Sequence, residues 1–87
     1  MPLQRLSELQ PGERGVIHHL DRPEMVQALI EMGCCIGETV EVAHVAPWNG
    51  PIALWGGGRK LALRKEAAAE VWVMRISAED LENDPSR

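Results

Sequence analysis

Two neighbouring cysteines, Cys34 and Cys35, are the first residues in this sequence whose chemistry invites a functional question. Their Cα atoms are about 3.8 Å apart, below the roughly 4.4 Å that disulfides normally need, so a bond between them would strain its own peptide unit. Redox motifs usually separate their cysteines by two residues, and structural zinc takes two separated ligand pairs. The spacing therefore predicts a turn, with Cys34 as a small core residue and Cys35 in a loop.

The three histidines offer a second possible site, for a metal ion. His18 and His19 are neighbours on a predicted strand, where successive side chains point to opposite faces, so this pair should not share an ion. His18 could instead meet His44 across paired strands and bind Fe(II) or another transition metal, with Cys35 as a further ligand. No acidic cluster of the kind that hard cations need accompanies them. We predict no metal site and no cofactor, and keep the His18/His44 pair as the alternative.

Motifs for catalysis and phosphate binding are also incomplete. The glycine run 56–58 is followed by a predicted strand, whereas a phosphate loop precedes a helix. The four hydroxyl side chains have no base placed to activate them: Ser7, Thr39, Ser77 and Ser86. We therefore predict a hairpin turn at the glycines and no enzymatic activity.

Length and composition limit the class of protein further. The 87 residues suit one small domain, and no apolar run approaches the roughly 18–20 residues of a membrane span. The N-terminus lacks the basic start and apolar block of a secretory signal, which predicts a cytoplasmic protein with reduced cysteines. A net charge of −4 disfavours nucleic-acid binding, because phosphate contacts need a cationic face.

Hydrophobic periodicity predicts the elements that would position these residues. The segment DRPEMVQALIEMG is typical of a helix, capped by Asp21 and ended by Gly33 in a left-handed conformation. KEAAAE predicts one helical turn, and alternating or short apolar runs predict strands at 15–20, 39–45, 52–55, 59–64 and 71–76. Strands this short bury enough surface only by curling. We predict a mainly β, small SH3-like five-stranded barrel, with one helix inserted after the first strand and a short helical turn before the last.

Several short motifs follow one another in a specific order: MGCCIGETVEV, Ala46-Pro47, Pro51 and LALRKEAAAEVWV. In order and spacing they resemble the FeoA family (ferrous iron transport protein A), which has Met-Gly-Leu-x-Pro-Gly-x-x-Val-x-Val, an Ala-Pro, a further Pro and a closing Leu-Ala-Leu-Arg. The resemblance covers roughly residues 3–76 and departs from the family where Cys34 replaces a leucine and Ile36 a proline. The matching structural positions are Met32, Gly33, Gly37, Pro47, Pro51 and Leu63.

The resemblance implies a fold, a function and a partner. It implies an SH3-fold domain over residues 1–76, followed by an acidic tail, 77–87, that we expect to be flexible. It also implies a small, non-enzymatic, cytoplasmic accessory protein of ferrous iron uptake, which docks on the membrane ferrous iron permease and modulates it without inserting into the membrane. The oligomeric state stays open. Because the same domain is similar to the C-terminal appendage of iron-dependent repressors, a regulatory module of a metal-dependent repressor is a further alternative.

Exposed aromatic and basic residues are the candidates for docking. Trp48 stands at the tip of PWNGP, where a large ring has little core to enter, and we expect Trp55 just across the connection. An exposed tryptophan is a common anchor for a partner, and clustered cations steer an acidic partner surface. The predicted partner-binding residues are Trp48, Trp55, Arg59, Lys60 and Arg64.

Overall fold

Six strands and two helices make up residues 3–76, the part of the chain that the computed structural model describes. The helices are α1 (Pro23–Glu31) and α2 (Lys65–Ala68), and Leu6–Glu8 form one 3-10 turn. The acidic segment 77–87, predicted as a tail, lies outside the described residues. The strands are β1 (Leu3–Arg5), β2 (Arg14–Leu20), β3 (Thr39–Val45), β4 (Ile52–Gly56), β5 (Arg59–Leu63) and β6 (Val71–Ile76).

The strands form one antiparallel sheet in the order β1-β6-β2-β3-β4-β5. This confirms the mainly β, SH3-like class, but the predicted count of five strands is wrong by one. β1 was not predicted because Leu3–Arg5 is too short to show alternation, and it is held instead by pairing with β6. The helix α1 consequently follows the second strand, not the first.

The core follows the alternation of the sequence. Inward positions on β3, β4 and β6 are at most 1% exposed, and these strands contribute to one buried cluster although β6 and β4 are not neighbours in the sheet. The sheet must therefore curl around that cluster. Its most deeply buried strand residues are Val40, Val42, Ile52, Leu54, Val71 and Val73.

The start of α1 differs from the prediction, whereas its end agrees. Arg22 is the N-cap residue, no side chain caps the helix, and Pro23 occupies the first turn. Asp21, the predicted cap, instead accepts a hydrogen bond from Trp72 Nε1 at 2.8 Å. Gly33 ends the helix with a φ of 88°, as predicted.

The predicted structural positions lie where the chain changes direction or enters the core. Met32 is the C-cap of α1 and packs against the core. Gly37 has a φ of 95°, and its N–H donates to Ile17 O at 2.8 Å as the chain approaches β3. Pro47 and Pro51 flank the β3–β4 loop, where the carbonyls of both accept backbone hydrogen bonds of 3.1 Å. Leu63 is 6% exposed.

The cysteines behave as predicted. Cys34 is 1% exposed and Cys35 is exposed, and both are free thiols. Burial is the main reason why the pKa of Cys34 rises to about 11, with smaller contributions from Glu38 and Cys35. The raised pKa favours the protonated thiol, whereas the thiolate is the form that acts as a nucleophile or metal ligand.

Candidate docking surface

The outer face of the sheet carries a row of four side chains across four strands. The register places Arg14 of β2 beside Glu41 of β3, Glu41 beside Trp55 of β4, and Trp55 beside Lys60 of β5. Arg14 Nε donates to Glu41 Oε1 at 2.7 Å. Lys60 Nζ lies 5.7 Å from the centroid of the Trp55 ring, within range of a cation–π interaction. The row therefore combines charge with one half-exposed aromatic ring.

A groove of about 370 Å³ opens beside this row. Trp55 forms one wall, and the β4–β5 turn forms another. We call it the docking groove, and its lining residues are Arg14, Thr39, Val40, Glu41, Trp55, Gly56, Gly57, Gly58 and Arg59.

The turn beside the groove depends on two glycines. Gly57 and Gly58 have φ values of 59° and 78°, which is the left-handed pair that a two-residue hairpin turn requires. A Cβ atom on Gly57 would lie only 2.0 Å from the carbonyl oxygen of Gly33, so the turn packs directly against the end of α1. The predicted hairpin turn is confirmed, and this backbone contact fixes the position of the groove wall.

Charge is distributed unevenly around the groove. Arg14 is paired with Glu41, whereas Arg59, Lys60 and Arg64 form no ion pair within residues 3–76. Arg59 runs past Gly33, where an added Cβ would lie 3.5 Å from Arg59 Nε. The β5 side of the groove therefore presents cations whose charge no described carboxylate neutralises.

Trp48 belongs to a different part of the surface. It is 94% exposed and has a φ of 61°, followed by Asn49 at 59°, in a turn closed by a 3.1 Å hydrogen bond from Gly50 N to Pro47 O. Lys65 Nζ donates to Asn49 Oδ1 at 3.0 Å, which ties the loop to α2. The expectation that Trp55 lies just across the connection is wrong, because Trp55 pairs with Glu41, near the opposite end of β4.

The structure thus divides the five predicted docking residues into two groups. Trp55, Arg59 and Lys60 lie together at the docking groove. Trp48 lies in the β3–β4 loop, and Arg64 follows β5 at the start of α2. Sequence reasoning missed Arg14, Thr39 and Glu41, because only the strand register brings them to Trp55.

The alternative metal pair is not formed. His44 lies opposite Ala53 of β4, and the pairing of β2 with β3 includes only Arg14–Val16 of β2, so His18 does not face His44. Within residues 3–76 no three or more His, Cys, Asp or Glu side chains are grouped so that they could hold a metal ion. Neither helix in this range is long and apolar enough to cross a membrane.

A curled six-stranded sheet with one inserted helix defines a small SH3-like domain, and an open groove with cations along one side lies on its surface. The sequence model of the FeoA domain matches residues 4–75, and the chain belongs to this family. The FeoA domain is a non-catalytic accessory domain, which agrees with the prediction that the chain is not an enzyme.

Individual relatives support this assignment. A fusion protein of Fe(2+) transport protein A and Fe(2+) transporter FeoB from Porphyromonas gingivalis (strain ATCC BAA-308 / W83) is 35% identical over 75 residues, which are 85% of this chain but 9% of the fusion protein. A crystal structure of the iron uptake regulatory protein FeoA has 32% identity and a TM-score of 0.76, over 87% of this chain and 100% of that one. A manganese-dependent transcriptional repressor shares the fold alone, with 19% identity and a TM-score of 0.76, over 86% of this chain and 42% of the repressor.

Proposed function

We propose that this chain is a cytoplasmic accessory protein of ferrous iron uptake, which docks on the membrane ferrous iron permease and modulates it. The observation that carries the proposal is the fusion relative, in which a domain similar to this chain and the transporter FeoB form one polypeptide. Two domains joined in one chain meet at a high effective concentration, and such a link is useful when the domains act on each other.

The docking groove is the surface that we assign to this contact. Trp55 is 50% exposed and supplies the aromatic anchor that protein interfaces favour. Arg59 and Lys60 beside it form no ion pair within residues 3–76, and they would attract an acidic patch on the permease and raise the rate of association. β5 pairs only with β4 among the described strands, so its outer edge also offers backbone groups to an incoming segment.

The test is a binding measurement between this chain and the purified cytoplasmic domain of the permease. We expect Trp55→Ala and the double change Arg59→Glu/Lys60→Glu to abolish or strongly weaken binding. Arg75→Glu is the control for charge reversal outside the groove, because Arg75 is an exposed, ion-paired cation on β6 that does not line the groove. The affinity of the wild-type chain should fall as salt is raised, because exposed charges are screened.

Trp48→Ala and Arg64→Glu separate the two groups of predicted residues. Retained binding in both variants would confine the contact to the docking groove. Loss of binding in these two, with Trp55→Ala unaffected, would move the contact to the β3–β4 loop. A wild-type chain that does not bind the permease at all would refute the proposed function itself.

A further inference from the structure

The histidine pair on β2 has a geometry that the sequence pattern did not predict. His19 lies opposite Trp72 and Ile17 lies opposite Val73, so the register shifts and His18 is the extra residue of a β-bulge. A bulge breaks the alternation of side chains along a strand. His18 and His19 are therefore both exposed, and their Nδ1 atoms approach to 2.8 Å. The prediction that they point to opposite faces and cannot share an ion is wrong.

This short contact requires a proton between the two rings. A neutral imidazole has one N–H and one lone pair, so one Nδ1 must donate while the other accepts. Two unprotonated Nδ1 atoms at 2.8 Å would repel each other through their lone pairs. A cation placed between them would remove the need for the shared proton.

His19 is held in place by its neighbours. Its ring stacks on Trp72, with centroids 5.9 Å apart and an interplanar angle of 9°. Trp72 is fixed in turn by its hydrogen bond to Asp21 and by Arg5, whose guanidinium carbon lies 4.4 Å from the ring centroid. The stacking contact restricts the orientation of the His19 ring, so this ring needs little further ordering to bind an ion.

We propose that His18 and His19 chelate a divalent transition-metal cation through their two Nδ1 atoms. Nitrogens roughly 2.0–2.1 Å from an ion and 90° apart lie about 2.8–3.0 Å from each other, whereas tetrahedral angles separate them by about 3.3–3.4 Å. The 2.8 Å contact therefore matches neighbouring positions of a square-planar or octahedral ion, such as Cu²⁺ or Ni²⁺. For chelation both rings carry their proton on Nε2, which leaves the two Nδ1 lone pairs free for the ion.

Calorimetric titration with Ni²⁺ at neutral pH tests this site. A Cys35→Ser background removes the exposed thiol as a competing ligand. We expect one Ni²⁺ per chain, and an affinity at least about tenfold weaker in His18→Gln and in His19→Gln. His44→Gln is the matched control, since His44 is also exposed but lies on β3, opposite Ala53. It should bind as the parent does.

Two further measurements sharpen the test. Zn²⁺, which prefers tetrahedral sites, should bind more weakly than Ni²⁺. Ni²⁺ should quench the tryptophan fluorescence of the parent but not that of Trp72→Phe, because only Trp72 stacks on a proposed ligand.

Two results would overturn the proposal. The first is the absence of saturable Ni²⁺ binding by the parent. The second is an equal loss of affinity in His44→Gln, or none in His18→Gln. His18 makes no stacking contact with Trp72, so its variant keeps the test decisive even if His19→Gln perturbs the fold. Binding to the permease takes no part in any of these readouts, so this proposal and the proposed function can fail independently.

Discussion

The cations on one side of the sheet are neutralised, whereas those on the other side face solvent. On the paired side, formed by β1, β6, β2 and the start of α1, arginines contact carboxylates within residues 3–76: Arg5 with Asp21, Arg14 with Glu41, Arg22 with Glu70 and Arg75 with Glu13. On the unpaired side, formed by β4, β5 and the start of α2, Arg59, Lys60 and Arg64 have no such partner in that range. Charge is thus left available at one edge of the sheet.

This difference separates what stabilises the domain from what a partner can recognise. Exposed ion pairs contribute at most about 1 kcal/mol each, so the paired side gains little stability from its arginines. Its positive electrostatic potential is weakened, because a neighbouring carboxylate cancels each positive charge. The unpaired side keeps its positive electrostatic potential. Packing fixes its position, because Gly57 contacts Gly33 and Cys34 Sγ lies 3.5 Å from the position that a Cβ atom on Gly56 would occupy.

The largest effect that we predict concerns the contact between Gly57 and Gly33. Gly57→Ala should lower the free energy of unfolding by about 4 kcal/mol, because the methyl group meets a backbone oxygen at 2.0 Å and alanine must adopt a positive φ. Chemical denaturation of the two proteins measures this difference. The docking groove should lose its shape as well, since Gly57 lines it.

Gly58→Ala is the matched control for that prediction. Gly58 belongs to the same turn and also has a positive φ, but nothing lies within 4 Å of an added Cβ. Its cost should be confined to the conformational penalty of about 1–2 kcal/mol. Equal destabilisation by the two substitutions would mean that the contact with Gly33 does not anchor the hairpin.

The second prediction concerns the buried thiol beneath β4. The pKa of Cys34 is raised from its ordinary 9.0 to about 11, so the unfolded chain loses this proton at lower pH than the folded chain. The stabilising contribution is therefore complete below pH 9 and declines as the pH rises from 9 towards 11. The free energy of unfolding of the wild type should fall by about 2 kcal/mol relative to that of Cys34→Ala across this pH range.

Parallel denaturation curves at several alkaline pH values measure that loss. The comparison with Cys34→Ala cancels the titration of the other groups. Cys35→Ala should keep most of the wild-type dependence on pH, because burial is the main cause of the raised Cys34 pKa and Cys35 is the smallest of its three causes. A Cys34→Ala protein whose stability falls in parallel with that of the wild type would show that the thiol does not become more difficult to ionise on folding.

The third prediction compares the two sides by charge reversal. Arg75→Glu should cost up to about 1 kcal/mol at low salt, because it places a carboxylate next to Glu13 and breaks a 2.7 Å ion pair. Lys60→Glu breaks no ion pair and should change stability by less than about 0.5 kcal/mol. Thermal unfolding at low and high salt distinguishes them, since only the Arg75 effect should shrink with screening.

A greater cost for Lys60→Glu than for Arg75→Glu would reverse the comparison. It would mean that the cations of the unpaired side stabilise the fold and are not simply exposed. The docking assignment of Lys60 would then need evidence that separates binding from folding.

The elements of the fold were largely predictable from the sequence, whereas the neighbours of each site residue were not. Thr39–Val45 and Val71–Ile76 were predicted at their observed bounds, because alternating valines mark one buried face. Local signals also predicted the glycine turn and the end of α1. These features depend on residues close in the sequence.

The neighbours of the site residues depend on long-range pairing and on a bulge, which the sequence did not predict. Arg14 and Glu41 are far apart in the sequence and meet Trp55 only through the register of three strands. The bulge in β2 turned His18 and His19 to the same side, and no pattern in GVIHHL indicates it. Asp21 does not cap α1 as predicted, because it accepts a hydrogen bond from Trp72, which is 51 residues away in the sequence.

The smallest predicted effect contrasts two exposed tryptophans, Trp48 of the β3–β4 loop and Trp55 of β4. Trp48 adopts a φ of 61° while 94% exposed, so it carries the strain of a left-handed residue without compensating burial. Trp48→Asn should raise the free energy of unfolding by about 0.5 kcal/mol, because asparagine tolerates this conformation. Trp55→Asn should lower stability instead, since that ring is half-buried on a strand and contacts Lys60. If Trp48→Asn stabilises the domain but weakens binding to the permease, the strained ring serves recognition and not folding. If it destabilises the domain, the ring contributes to folding, and its exposure is no argument for docking.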